Sequence, residues 1–124
     1  MKDFKRFEVS HHGITYISEF DFEALKRADE MKVMEMTGSP INMTFSIFYC
    51  SIMKNNPYPN QRKVREFFDE VIQDEDYGIE SFNDITEEFV NHFLEFAAPK
   101  KKKAKKFTAM DPAAEVVNFP KAEQ

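Results

Sequence analysis

Two stretches near the middle of the chain carry the clearest helical pattern of apolar residues. In each, apolar side chains recur at i, i+3, i+4, i+7 and i+8, a spacing that gathers them on one helix face. Pro57 and Pro59 separate the stretches, and proline interrupts helical geometry. We therefore predict two amphipathic helices, at about 41–55 and 61–75, joined by a proline corner. Their apolar faces are Phe45, Phe48, Tyr49, Ile52 and Met53, and then Val64, Phe67, Phe68, Val71 and Ile72.

A short hairpin is predicted before these helices. Residues 5–10 and 14–19 alternate between apolar and polar side chains, as half-buried strands do. His11, His12 and Gly13 lie between them, and glycine accepts the positive φ of a tight turn. Because an isolated two-stranded hairpin is only marginally stable in water, we expect it to pack on the helices, with both histidines exposed in the turn.

Two further helices complete the predicted domain. Asp21 and Gly38 bracket a helix over 22–37, since aspartate caps helix N-termini and glycine ends helices. Asp84 and Glu87 have the spacing of a capping box, which predicts the N-terminus of the last helix. The sequence thus predicts an α+β protein, mainly α, in which a short N-terminal β-hairpin packs on a bundle of about four helices.

Composition and charge divide the chain at Pro99. Residues 1–98 carry a net charge of −9, whereas residues 99–124 carry seven lysines and three acids, a net charge of +4. A run of like charges repels itself and buries too little apolar surface to fold. We predict one domain over 1–98 and a flexible tail over 99–124. The basic run of this tail consists of Lys100, Lys101, Lys102, Lys103, Lys105 and Lys106.

The sequence offers no catalytic pattern. Three isolated glycines cannot build a phosphate-binding loop, and no serine lies in a nucleophile elbow. The three histidines lack helical zinc-motif spacing, and His92 is interpreted as a boundary residue. The acid clusters at 74–76 and 87–88 are predicted to be exposed, with ordinary acidity. We therefore expect no enzyme activity, no cofactor and no metal.

Cysteine content and hydropathy indicate the cellular compartment in which the protein is expected. Cys50 is the single cysteine, which excludes an intramolecular disulfide, and its apolar surroundings predict burial. No apolar run approaches the 18 residues of a membrane span, and the first thirty residues lack an apolar signal core. We expect a cytoplasmic protein without a membrane partner.

The order of these features resembles the small tail assembly chaperones of long-tailed bacteriophages (siphophages) of Gram-positive hosts and of related prophages. The resemblance covers about residues 5–98 and is carried by residues 48–57, FYCSIMKNNP, followed by the helices over 64–72 and 85–96. Members of that family bind the long, helical tape measure protein before the tail tube polymerises around it. The resemblance implies that this chain keeps the tape measure protein soluble in the host cytoplasm and is absent from the mature virion.

The resemblance also suggests further partners. The tail tube protein is one candidate. Members of the family often have a programmed ribosomal frameshift near the end of the shorter product, and an A-rich slippery run would encode lysines like those that begin at Lys100. A frameshift-extended form of the chain is therefore another expected partner.

A chaperone that holds an amphipathic helix needs an apolar groove, and Met and Phe side chains adapt to varied sequences. Each such residue is also a candidate for the core. A second copy of the chain would cover the same face, so a homo-oligomer is compatible with the pattern. The candidate partner-binding residues are Met31, Met34, Met43, Phe45, Phe48, Tyr49, Ile52 and Met53.

A nucleic-acid-binding regulator is the alternative interpretation. It would use Arg62, Lys63 and Arg65 of the third helix together with the lysine tail, because basic side chains release counterions from a phosphate backbone. The net negative charge of the domain repels phosphate, however. We therefore prefer the chaperone interpretation and do not expect nucleic acid as a partner.

Overall fold

The computed structural model describes residues 3–97 and 107–109. The basic run from Lys100 to Lys106, and with it most of the predicted tail, lies outside the described residues. Within the described part of the chain, no helix has the length and apolar character needed to cross a membrane.

The N-terminal hairpin pairs β1 (Arg6–His11) with β2 (Ile14–Glu19) in antiparallel register. The turn consists of His12 and Gly13, whose φ angles are 48° and 83°. Positive φ at both central residues is the geometry of a type I′ turn, whose twist matches that of the flanking strands. The predicted hairpin is confirmed, although β1 extends one residue further, to His11.

The first helix is shorter than predicted. α1 (Phe22–Glu30) begins as expected, with the Asp21 carboxylate accepting a hydrogen bond from the backbone N–H of Ala24. The prediction that it continues to residue 37 is wrong, because Lys32 adopts a left-handed conformation with φ of 55°. A single 3₁₀ turn over Val33–Glu35 follows, and this redirection allows Val33 to be completely buried.

The two central helices are confirmed. α2 (Pro40–Ile52) and α3 (Gln61–Gln73) lie within a few residues of their predicted bounds, and the proline corner separates them. Asn60 begins α3, since its side chain accepts a hydrogen bond from the Lys63 backbone N–H at 3.0 Å. Such a cap satisfies one of the N–H groups that have no partner at a helix start.

The last helix begins differently from the prediction. A 3₁₀ turn over Ile79–Phe82 leads directly into α4 (Asn83–Ala97), so Asp84 lies in the first turn of the helix. The prediction of Asp84 as the N-cap of a capping box is therefore wrong. Phe82, the last residue of this 3₁₀ turn, explains the difference. Its buried ring packs 5.1 Å from that of Phe48, and this contact fixes the chain directly before α4.

One hydrophobic core joins the hairpin to the helices, with Phe48 of α2 near its centre. The Phe48 ring has no exposed surface and lies 5.1 to 6.4 Å from four other aromatic rings. Phe20, directly after β2, connects the hairpin to α4 through the Phe89 ring at 5.6 Å. The predicted fold class, α+β and mainly α with an N-terminal hairpin, is confirmed. The four rings around Phe48 are those of Tyr16, Phe67, Phe68 and Phe82.

Candidate functional site

The eight candidate partner-binding residues differ in accessibility. Phe45, Phe48 and Ile52 belong to the hydrophobic core, with exposures of 5% or less, so a partner cannot reach them in this fold. Met31 and Met34 are the most exposed of the set. The half-buried members are Met43, Tyr49 and Met53.

Tyr49 and Met53 line a surface cleft at the proline corner, which we call the corner cleft. It has a volume of about 460 Å³ and is mostly apolar. The Tyr49 hydroxyl donates a hydrogen bond to the backbone carbonyl of Pro59 at 3.3 Å, which fastens the corner to α2. Burial raises the pKa of this hydroxyl, so it remains a neutral donor. The residues that line the cleft are Arg27, Tyr49, Met53, Pro57, Tyr58 and Pro59.

A sulfur–sulfur contact joins α2 to the residue that follows α1. The Cys50 thiol donates a weak hydrogen bond to the Met31 sulfur at 3.6 Å. Burial raises the pKa of the Cys50 thiol to about 11, although the positive charge of Arg27 opposes the shift. The thiol is therefore protonated at neutral pH, and the prediction that Cys50 is buried is confirmed.

Tyr58 is the most unusual residue of the corner cleft. It is 99% exposed and has a positive φ of 56°. This left-handed conformation is costly for an aromatic residue. The periodicity of the sequence did not identify Tyr58, because it lies in the corner outside both helices; the flanking prolines in Asn56-Pro57-Tyr58-Pro59 were the available signal. A fully exposed tyrosine beside a cleft is typical of contact surfaces.

A histidine pair lies at the turn end of the hairpin. The prediction that His11 is exposed is wrong, because its ring is buried and its Nε2 lies 2.9 Å from Oδ2 of Asp74, the residue that follows α3. This hydrogen bond, and then the backbone N–H of Asp76, hold the pKa of Asp74 below its ordinary value. His12 is exposed as predicted, and its ring stacks on that of His11 at 3.9 Å.

A second histidine–carboxylate pair is buried on α4. His92 Nε2 lies 3.0 Å from Glu88 Oε2, and both side chains are 6% exposed. The predictions that Glu88 is exposed and that His92 is a boundary residue are wrong, because residues before β1 cover this face. The backbone N–H of Lys5 donates to Glu88 at 2.9 Å, and the Phe4 ring packs 4.3 Å from that of His92. The pair thus fastens the N-terminal segment to α4.

The basic residues of α3 differ in their contacts. Arg62 and Lys63 are exposed, but the Arg65 side chain lies against the helix surface. Its guanidinium stands 5.0 Å from the centre of the Phe45 ring, and its Nε donates to Asp69 at 2.9 Å. Arg65 is therefore engaged in contacts within the protein.

Comparison with known proteins identifies no relative: no protein-family model, curated protein or solved structure matches the chain. The resemblance to tail assembly chaperones therefore stays a prediction based on pattern and order.

Proposed function

We propose that this chain is a non-enzymatic tail assembly chaperone that binds an amphipathic helix of a phage tape measure protein in the corner cleft. The observation that carries the proposal is the combination of this apolar cleft with the fully exposed ring of Tyr58 at its edge. In this proposal the protein acts in the host cytoplasm, keeps its client soluble, and leaves before the virion is complete.

The dimensions and chemistry of the cleft support the proposal. Its volume of about 460 Å³ lies within the range of roughly 300–1,000 Å³ typical of binding pockets. Apolar side chains at i, i+3 and i+4 on one client helix would enter such a groove. Met53 adapts in shape, which suits a client whose helical segments vary in sequence.

Two residues give the cleft a polar side. Arg27 lines it from α1, where its guanidinium would pair with an acidic residue on the polar face of a client helix. The Tyr58 hydroxyl lies on an exposed ring, so it would hydrogen-bond a client while the ring packs on apolar side chains. The cleft therefore favours an amphipathic helix over a purely apolar one.

Co-expression with the tape measure protein of the same gene cluster tests the proposal. We expect the client to be soluble with the wild-type chain and largely insoluble alone. Tyr58→Asn and Met53→Glu should return it to the insoluble fraction, because they remove the exposed ring and place a charge in the cleft. Asparagine is chosen because it tolerates the positive φ of position 58.

Leu94→Asn provides the matched control. Leu94 is a 52% exposed apolar residue of α4 that does not line the cleft, so the variant should solubilise the client like the wild type. Equal client solubility with and without this chain would contradict the proposed function. Equal losses for Leu94→Asn and Tyr58→Asn would contradict the assignment to the corner cleft.

A further inference from the structure

His11, His12 and Asp74 come together from distant parts of the chain. The type I′ turn places the two histidines at one end of the hairpin, and Asp74 follows the last residue of α3. One donor atom from each residue lies within 4.8 Å of the other two. The contact between His11 and Asp74 spans 63 positions of sequence, so it depends on the fold as a whole.

We propose that these three side chains bind a zinc ion at the junction of the hairpin turn and the C-terminal end of α3. Two imidazole nitrogens and one carboxylate oxygen form a donor set that zinc uses in proteins. This binding site is independent of the proposed chaperone function.

The distances fit a shared ion. Zinc bonds to nitrogen and oxygen of about 2.0 to 2.2 Å in a tetrahedron place neighbouring donor atoms about 3.3 Å apart. The observed 2.9 Å between His11 Nε2 and Asp74 Oδ2 requires only a small separation of the two groups. The donor atom of His12 lies within 4.8 Å of the other two, and its exposed ring, which stacks on that of His11 at 3.9 Å, would rotate toward the ion. The fourth position would take water.

Zinc binding would change the tautomer of His11. The ring contacts Asp74 through Nε2, and its buried Nδ1 has no hydrogen-bond partner among the described residues. Zinc at Nε2 needs the lone pair of that nitrogen, so the ring proton moves to Nδ1 and the shared ion replaces the hydrogen bond to Asp74. The backbone N–H of Asp76 binds Oδ1 of Asp74, which keeps Oδ2 directed at the histidines.

The same donor set argues against calcium and magnesium. Both ions prefer shells made of oxygen atoms, and calcium needs six or more ligands. The cluster offers two nitrogens and one carboxylate. Selectivity for zinc over both ions is therefore part of the proposal.

Isothermal titration calorimetry, in which zinc is added to the full chain without an affinity tag, tests the site. We expect one zinc ion per chain, no saturable binding of magnesium or calcium, and a zinc-dependent rise in melting temperature, since the ion binds only the folded chain. His12→Asn should weaken zinc binding by at least about tenfold and reduce this rise at the same zinc concentration. Asparagine is compatible with the positive φ of 48° at position 12, so the turn should persist.

Two further variants make the result specific. Asp74→Asn should weaken zinc binding as His12→Asn does, whereas Asp76→Asn should bind like the wild type, because Asp76 contributes only its backbone N–H to the cluster. Circular dichroism without zinc checks that each variant is folded. Absence of saturable zinc binding would overturn the proposal, as would equal weakening by Asp76→Asn and His12→Asn.

Discussion

Burial of the Cys50 side chain controls its chemistry. The thiol is completely buried in α2, and its pKa is raised to about 11. Because the thiolate is the reactive form, the native thiol should be inert at mildly alkaline pH. We predict that Ellman's reagent labels it on the order of 100-fold more slowly than it labels the unfolded chain, since reaction requires local opening. Absorbance traces with and without guanidinium measure this ratio, and equal rates would show that the thiol is accessible.

Glu19 is a residue whose electrostatic contacts join two elements. At the end of β2, its carboxylate accepts hydrogen bonds from Lys54 at 3.0 Å and Asn55 at 3.2 Å. Lys54 first, and then Asn55, lower the pKa of Glu19 below its ordinary value near 4.5. The hairpin is thereby tied to the segment that follows α2.

This shift predicts an acid-dependent contribution to stability. A lowered folded-state pKa means that the stabilisation is fully present above about 4.5 and is lost as pH falls through the folded pKa. Glu19→Gln should therefore reduce the free energy of unfolding at neutral pH by about 1 kcal/mol or less, with a smaller difference at a pH of about 3. Urea denaturation of Glu19→Gln and the wild type at both pH values measures the difference in their free energies of unfolding. The control is Glu23→Gln, whose partner Lys26 lies 4.0 Å away at an exposed position. If Glu19→Gln lowers the free energy of unfolding equally at both pH values, the lowered pKa of Glu19 is not the cause.

At the scale of elements, the end of α1 depends on one strained residue. Lys32 holds the left-handed conformation that redirects the chain into the core, a conformation that glycine adopts without steric cost. We predict that Lys32→Gly raises the free energy of unfolding by about 0.5–1 kcal/mol. Lys26→Gly, the same exchange within α1, should lower it by about 1 kcal/mol. Chemical denaturation of both variants measures the sign of each change in the free energy of unfolding. A loss of stability in Lys32→Gly would contradict the conclusion that the left-handed conformation of Lys32 is strained.

The elements differ in how far their sequence predicts them. α2 and α3 were predictable because their apolar period and their flanking prolines are local signals. The end of α1 and the start of α4 were not, because the burial of Val33 and Phe82 in the common core decides them. Local spacing carries no information about such distant packing partners.

The same distinction applies to the candidate sites. Tyr49 and Met53 were found from helical spacing, which marks a face but cannot separate its buried part from its edge. The polar pairs were missed because their partners are remote: Lys5 and Glu88 are 83 positions apart, and His11 and Asp74 are 63 apart. A histidine at the end of a predicted strand gives no sign that the residue after a distant helix will contact it.

At the scale of the whole molecule, α2 serves both the core and the corner cleft. Phe48 packs on rings from β2, α3 and the 3₁₀ turn before α4, so one side chain of α2 contacts three other elements. Tyr49, the next residue of α2, and Met53, which follows the helix, line the cleft. The cleft therefore retains its shape only while the packing around Phe48 is intact.

This dependence predicts a large and specific effect of truncating the central ring. Phe48→Ala should lower the free energy of unfolding by about 3–5 kcal/mol, because it removes apolar contacts and leaves a cavity among four rings. Ile41→Ala on the same helix should cost less than about 1 kcal/mol, since Ile41 is 46% exposed. Urea denaturation followed by circular dichroism measures both. Should Phe48→Ala prevent folding altogether, Phe48→Leu keeps the comparison measurable, with an expected loss between those of the other two variants. Equal losses in Phe48→Leu and Ile41→Ala would show that the core is not organised around this ring.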